Sequence, residues 1–500
     1  MTNTPKKAAA LLLALLMLVP AVSCAEGTAE ETSADTSTSV QNPESTEETV
    51  DDSGVTQYAP DLPERDYEGY EMRIITRDDS MHPYPSHTRD ILAEQLTGES
   101  FNDTVFERNL LIEDNYGIRV VMEAHSETVS EATPQTLVSN SVRAGSDDYD
   151  LLFGHMINIA NLATSKVLLN WNLLPLIDFD KPYWNKSAVD AFSVGEKTYC
   201  ALSDMCVSSN DNAHVMVYNK ELAAAVSAPN FYELVYENEW TYDKFTEVIK
   251  NVTADLDGNG EYEKSDRYGY LCAGGSSLIN FMYAAGNMLV SKDENNYPVA
   301  SYYTERNINS YDWLRALLKN TDTFYDSTSW VKPECIAMFL EDRAMIMSTQ
   351  IMMFEHLRSM ESDFGVLPFP KYDSEQENYG HYVDGHATIM AIPKTVSDHE
   401  RTAIFLEAMA YESYRTLLPV YYDVLLTTKY MRDQDSRNML DIVYNTRVFD
   451  FGYAYMYSNL GTSYSSKAPN DEDITSFYKS LEKVVNKQIQ LMAKAFDKDE

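Results

Sequence analysis

Past Tyr58 the chain alternates short apolar runs with stretches of helical periodicity. YEMRIITR, Tyr70 to Arg77, reads as a strand. In FNDTVFERNLLIEDNYG the positions Val105, Phe106, Leu110, Ile112 and Tyr116 make one apolar helical face, with Asn102 as the expected cap and Gly117 as the expected stop. IRVVMEA is a second strand and TPQTLVSNSVRAG a second helix. DDYDLLFGHM is a third strand, whose apolar run Tyr149 to Phe153 stops at Gly154. Strand, helix, strand, helix, strand of this length predicts right-handed βαβ units and a parallel sheet. Ligands of open sheets sit beyond the carboxyl ends of the strands. Arg77, Asp78 and Asp79 after the first strand, and Gly154, His155 and Met156 after the third, are therefore candidate site residues.

Further on, TYDKFTEVIKNV has Phe245, Val248, Ile249 and Val252 at helical spacing, Thr241 as N-cap and Asp243 in the first turn. RYGYLCAGG reads as a strand and a turn. Helical periodicity covers Tyr311 to Leu318, Glu334 to Arg358 and Glu400 to Tyr414, separated by the strand-like GVLPFP and ATIMAIP. No internal repeat is visible. The body is longer than one hydrophobic core supports, which predicts two lobes.

The first residues change the picture from soluble enzyme to exported protein. Lys6 and Lys7 precede the apolar run Ala8 to Val19, and the small residues Ala21, Val22 and Ser23 lead to Cys24, the pattern of a secretory signal. A cysteine in that place looks like the lipobox of bacterial lipoproteins, although the usual pattern has Leu where Ala21 stands. From Ala25 to Tyr58 the chain is rich in Ser, Thr and Glu, without a basic residue, and reads as a self-repelling tether. The net charge of −39 disfavours nucleic acid and anionic membrane surfaces as partners. Only Cys200, Cys206, Cys272 and Cys335 follow Cys24, too few for a disulfide framework, and buried free thiols are expected.

DLDGNGEYEKSD, Asp255 to Asp266, carries the spacing of a calcium loop. Asp255, Asp257, Asn259, Glu261, Glu263 and Asp266 occupy positions one, three, five, seven, nine and twelve, with Gly260 at the turn. Asp in place of Glu at the last position and the missing exit helix predict one structural Ca²⁺, not a switch. A solvated acidic turn without metal is the alternative.

The order of lipobox, acidic linker, YEGYEMRIITR, FNDTVFERNLLIEDNYG, DDYDLLFG, GEKTYCALSD, VMVYNKEL, DLDGNGEYEKSDRYGY, SDFGVLPFPKYD and ATIMAIPKT resembles the extracellular solute-binding proteins of family 1, lipoproteins that feed ABC importers. The resemblance implies an α/β, two-lobed periplasmic-binding-protein-like fold of type II, with a ligand cleft at the hinge. It divides the chain into a signal (1–24), a linker (25–58), a first lobe (59–205 with 365–400) and a second (206–364 with 401–500). GEKTYCALSD followed by VMVYNKEL is similar to the first crossing between lobes, and SDFGVLPFP to the second. It implies ligand-facing roles for Arg77, Asp78, Gly154, His155, Met156, Asp204, Ser276, Gln350, Tyr382, Asp384, Tyr421 and Tyr422, and for the helix start after AMIMSTQ. It also implies an extracytoplasmic, lipid-anchored monomer that passes a small solute, most readily a sugar, to a permease. Abundant Tyr suits the apolar faces of pyranose rings. Trp184 and Trp240 read instead as packing residues.

Other readings remain open at this point. A glycosidase carboxylate pair could lie among the acids, though no nucleophile elbow, HExxH, Walker loop or GxGxxG stands out. His82, His87 and His155 near strand ends would suit metal uptake. A ligand-sensing lipoprotein would use the same fold.

Overall fold

In the computed structural model the described residues are 58–80, 88–128, 131–273, 275–326, 333–426, 433–455 and 457–497. Cys24, the signal, nearly all of the linker, and His82 and His87 lie outside them. The strands of the first βαβ units are β1 (Tyr70–Arg77), β2 (Ile118–His125) and β3 (Leu151–His155). β1 pairs in parallel with both others, and β9 (Thr388–Ala391) adds antiparallel to β3, giving the order β9-β3-β1-β2. β3 and β9 are buried along their whole length, whereas β2, at the edge, exposes Arg119 and Glu123. That contrast is why the first two strands show some alternation and the third reads as a plain apolar run.

The helix Ser100–Tyr116 begins earlier than its apolar pattern suggests. Glu99, not Asn102, caps it, accepting from the backbone N–H of Phe101 at 3.2 Å and of Asn102 at 2.7 Å. A carboxylate one residue ahead of the helix serves as well as an amide, because it also meets the positive helix end. Gly117 closes the helix at φ 62°, as its position predicts.

The second sheet has the order β8-β4-β7-β5-β6, from β4 (His214–Asn219), β5 (Tyr268–Ala273), β6 (Thr323–Asp326), β7 (Ala344–Gln350) and β8 (Phe364–Leu367). Its centre corrects the helical reading of Glu334 to Arg358. The helix Pro333–Leu340 ends, and AMIMSTQ becomes β7, flanked by antiparallel β4 and parallel β5. All seven of its residues are buried, so it lacks the alternation that separates strand from helix.

The lobes are interleaved in sequence, with boundaries that differ from the expected ones. β8 pairs with β4 inside the second sheet, so the chain returns to the first lobe between Leu367 and Thr388, not at residue 365. The helix His399–Glu412 and the segment Leu418–Leu426 pack on the helix Ser100–Tyr116 and belong with the first lobe, whereas Gln434–Asn445 packs on β8. The Glu407 carboxylate ties the first of these helices to the first lobe, buried where it accepts from Tyr183 Oη at 2.6 Å, Asp178 N at 2.8 Å and Trp184 Nε1 at 2.9 Å. The described residues form one compact unit.

Cys200, Cys206, Cys272 and Cys335 are free and buried. Trp184 and Trp240 are core residues. Trp240 donates from Nε1 to the Pro368 carbonyl at 2.8 Å and meets Phe245 edge-on at 5.8 Å. Trp240→Ala is expected to lower stability by about 3–5 kcal/mol, read as a fall in the urea midpoint at unchanged slope.

Candidate functional site

The crossing segments bring residues of both lobes to one cleft. The 3₁₀ segment Asp204–Asn212 follows the first lobe and leads into β4, and Tyr421 sits on the later helical passage. They meet where Asp211 accepts from Tyr421 Oη at 2.7 Å on one oxygen and from Arg89 Nη2 at 2.6 Å on the other. Arg89 also donates from Nε to Ser208 Oγ at 2.8 Å, and Ser208 in turn donates to the buried Asp90 carboxylate at 2.6 Å. Asp211 is pushed up by burial and opposed by Arg89.

Around this knot lies a cavity of about 300 Å³. Arg89, Phe101 and Asn102 line it from the first lobe, and Phe354, Glu355 and Arg358 from the second. Phe354 and Glu355 stand on the short turn of helix that follows β7, so the carboxyl end of a central strand feeds the cleft. Arg89 lies over Phe101 at 5.2 Å. Aromatic walls with converging planar polar groups can hold a polyhydroxylated ring by its apolar face and its hydroxyls.

Of the expected residues, Tyr421 lines this cleft, and Gln350 directly precedes it. Phe354 and Glu355 stand on the helix start after AMIMSTQ, whereas Arg89, Phe101, Asn102, Asp211 and Arg358 are not among the expected residues. The signal available was an aromatic and two charged residues, FEHLR, straight after a buried strand. Gln350 itself is buried, its Nε2 3.1 Å from His214 Nε2. Tyr422 meets Tyr421 at 5.8 Å between ring centres. Tyr382 is buried in a stack, 5.3 Å from His214 and 5.5 Å from Tyr283. Asp384 accepts from the His386 backbone at 3.0 Å and pairs with its Nδ1. Ser276 opens the helix Ser276–Ala284, and its side chain falls outside the described part of the structure.

The residues at the ends of β1 and β3 are interior instead of open. Glu127 is buried and accepts from Gln135 Nε2 at 2.5 Å, Asn158 Nδ2 at 2.9 Å and His155 N at 3.2 Å, with Arg77 close enough to counter the upward push of its burial. A Cβ on Gly154 would stand 2.6 Å from Gln135 Nε2, so glycine is what lets this network close. His155 meets His386 edge-on at 4.3 Å, and Met156 is buried. Asp78 is half-buried and turns back to accept from Ser80 N at 2.9 Å, while Asp79 is exposed.

Asp204 faces a separate cavity of about 190 Å³, lined also by Trp184, Lys186, Tyr444 and Arg447. It accepts from Tyr444 Oη at 3.0 Å, and burial pushes it up to about 7 against the pull of Arg447.

The acidic loop is drawn together as a metal loop would be. Ligand oxygens of Asp255, Asp257 and Asp266 lie within 4.8 Å of one another. Asp255 accepts from Gly258 N at 2.7 Å and Gly260 N at 2.8 Å, and Gly260 has φ 84°. Asn259 bonds Asp257 and Glu263, and the Glu261 N–H donates to Asn259 Oδ1 at 2.7 Å. The buried Asp266 holds Leu256 N at 2.8 Å and Glu263 N at 2.9 Å, and the chain leaves directly into β5, without an exit helix. This donor set fits a hard divalent cation.

No family model matches the sequence, and no curated protein matches it. Solved structures do. An ABC substrate-binding protein from Listeria monocytogenes in complex with cycloalternan is 14% identical, with a TM-score of 0.51, covering 84% of this chain and 99% of that one. The maltose/maltodextrin-binding domain MalE from Bdellovibrio bacteriovorus, bound to maltotriose, is 15% identical, with a TM-score of 0.50, covering 84% and 100%. A cyclo/maltodextrin-binding protein complexed with maltotetraose is 13% identical, with a TM-score of 0.55, covering 85% and 99%. The fold is therefore the two-lobed fold of periplasmic binding proteins.

The folded Asp204 carboxyl holds its proton to about pH 7, whereas in the unfolded chain it titrates near ~3.9. Its contribution to stability is thus complete below about pH 4 and is lost as pH rises through about 7. Asp204→Asn cannot ionise, so its stability relative to the parent is expected to climb across that window in urea melts at stepped pH. A parallel pH dependence in both proteins would contradict the assignment.

Proposed function

We propose that the chain is a lipid-anchored, extracytoplasmic solute-binding protein. It captures a carbohydrate between its lobes by hinge closure and hands it, unaltered, to the permease of an ABC importer. The observation that carries this reading is the inter-lobe cleft, where Phe101, Phe354 and Tyr421 stand beside Arg89, Asn102, Glu355 and Arg358. The aromatic rings stack on sugar C–H faces and the polar groups bond the hydroxyls. The similar structures named above hold cycloalternan, maltotriose and maltotetraose. Cys24 supplies the anchor. Among the described residues no helix is long and apolar enough to cross a membrane. The protein acts as a monomer and turns nothing over.

Calorimetry against a glycan panel is expected to find one binder that also compacts the protein in solution scattering. Arg358 is exposed at the cleft, so Arg358→Ala should weaken that binder about tenfold or more without unfolding the chain. A panel without a binder, or a glycan recovered in cleaved form, would defeat the reading.

We also propose that Asp255, Asp257, Asn259, Glu261, Glu263 and Asp266 hold one structural Ca²⁺, which stiffens the second lobe. A ligand confined to the folded state raises its stability. Chelator is expected to lower the melting temperature of the parent and to leave Asp257→Ala unmoved. Equal melting of the parent with and without chelator would exclude the ion.

A further inference from the structure

The last helix, Ile474–Asp497, buries Ile474, Tyr478, Val485, Ile489 and Phe496 against the body. Its outer side is basic. Lys479, Lys483, Lys487 and Lys494 are all exposed, and their spacing puts them on one side of the helix. Among the described residues none of the four forms an ion pair, whereas nearby Lys319 pairs with Asp471, and Lys467 with Glu472 at 2.6 Å. The chain carries 78 acidic and 39 basic side chains, so acidic partners are in twofold excess over the chain. Four unpaired lysines in a row are an exception to that composition. Of the acids on the helix, Glu482 is turned away toward Tyr302, and Asp497, in line with Lys479 at the helix end, is bonded to Tyr297 Oη at 2.6 Å. Beside the lysines, and seven residues apart, Val484 is 49% exposed and Leu491 55% exposed.

We infer that this face rests on the anionic phosphate headgroups of the bilayer to which the chain is tethered, and so orients the body on the membrane. The inference builds on the lipid-anchor reading above. Lysines near an anionic leaflet are attracted within a Debye length. Val484 and Leu491 can enter the headgroup boundary, as aliphatic groups of surface helices do. The net charge of −39 acts at longer range, where salt screens it, and at contact the facing patch decides. An acidic protein would meet the lysines equally well, but gains less from two aliphatics projecting from an otherwise polar face.

The test uses the full chain with Cys24→Ala, which cannot be acylated, so that it is independent of the anchor. Chelator is present throughout, to stop divalent ions bridging carboxylates to lipid. Co-sedimentation compares phosphatidylcholine vesicles with vesicles containing about 30 mol% phosphatidylglycerol, at low salt and at about 0.5 M salt. Binding is expected to the anionic vesicles alone, and to vanish at high salt. It should fall at least tenfold in the triple variant Lys479→Glu, Lys483→Glu, Lys487→Glu, and by a smaller factor in Leu491→Ser, with circular dichroism unchanged in both. Equal partitioning into both vesicle types, or undiminished binding by the triple variant, would overturn the inference. Absence of any vesicle binding would also overturn it, and would leave an acidic protein as the occupant. Failure of acylation at Cys24 in cells would instead strike the anchor reading and leave these results standing.

Discussion

The backbone ladder between the crossing segments is the constraint on which the site depends. Ala201 bridges to Met390, and Ala213 to Val383, so the outgoing and returning chains lie side by side. Asp384 N donates to the Asn212 carbonyl at 3.0 Å, Met156 N to Ala387 at 2.9 Å and Ile351 N to Ala213 at 3.1 Å. These bonds tie the end of β3, the end of β7 and both crossings to one another. The cleft residues Asp211, Ile351 and Phe354 are each within a few positions of the ladder, which sets their places before any side chain interacts.

Side chains then fill the junction with groups whose charge is settled by their neighbours. Burial would push Asp384 up, but the His386 imidazole and its backbone N–H hold it well below the usual carboxylate range. His214 is pushed down to about 4 by burial, so it is neutral, and free to accept from Gln350 Nε2. Arg108, fully buried, is lowered to about 10 and is held by Ser413 Oγ at 3.0 Å and by the Asp90 carbonyl at 2.7 Å. Asp90 thereby links the core of the first lobe to Ser208 and, through it, to Arg89 in the cleft. Removing a member of such a chain leaves a buried polar group without its partner, which is costly.

What could be read in the sequence was local. β1, β2, β3, the Gly117 stop, the Thr241 cap and the absence of an exit helix after Asp266 all follow from periodicity and turn chemistry over a few residues. AMIMSTQ was ambiguous because a strand buried on both faces has no alternation to read. The boundary at Leu367 was missed because strand pairing across more than a hundred positions leaves no mark in GVLPFP itself. The site suffered most. Arg77 and His155 stand at strand ends, where the topological rule puts ligands, yet Glu127 and His386 claim them. Arg89 comes from a segment with no pattern of its own and Arg358 from the end of a helical stretch, and only the fold brings them together.

The free thiols bear on how the fold responds to its redox surroundings. Burial pushes Cys272 and Cys335 up to about 12 and raises Cys200 and Cys206 as well. Thiolate is the species that attacks disulfides and reacts with oxidants, so burial disfavours the reactive form of all four sulfurs in the folded state. Folding of the described residues therefore requires no oxidative step. Their native state is the same in an oxidising and a reducing milieu, and it owes its cohesion to apolar packing and hydrogen bonds, not to crosslinks.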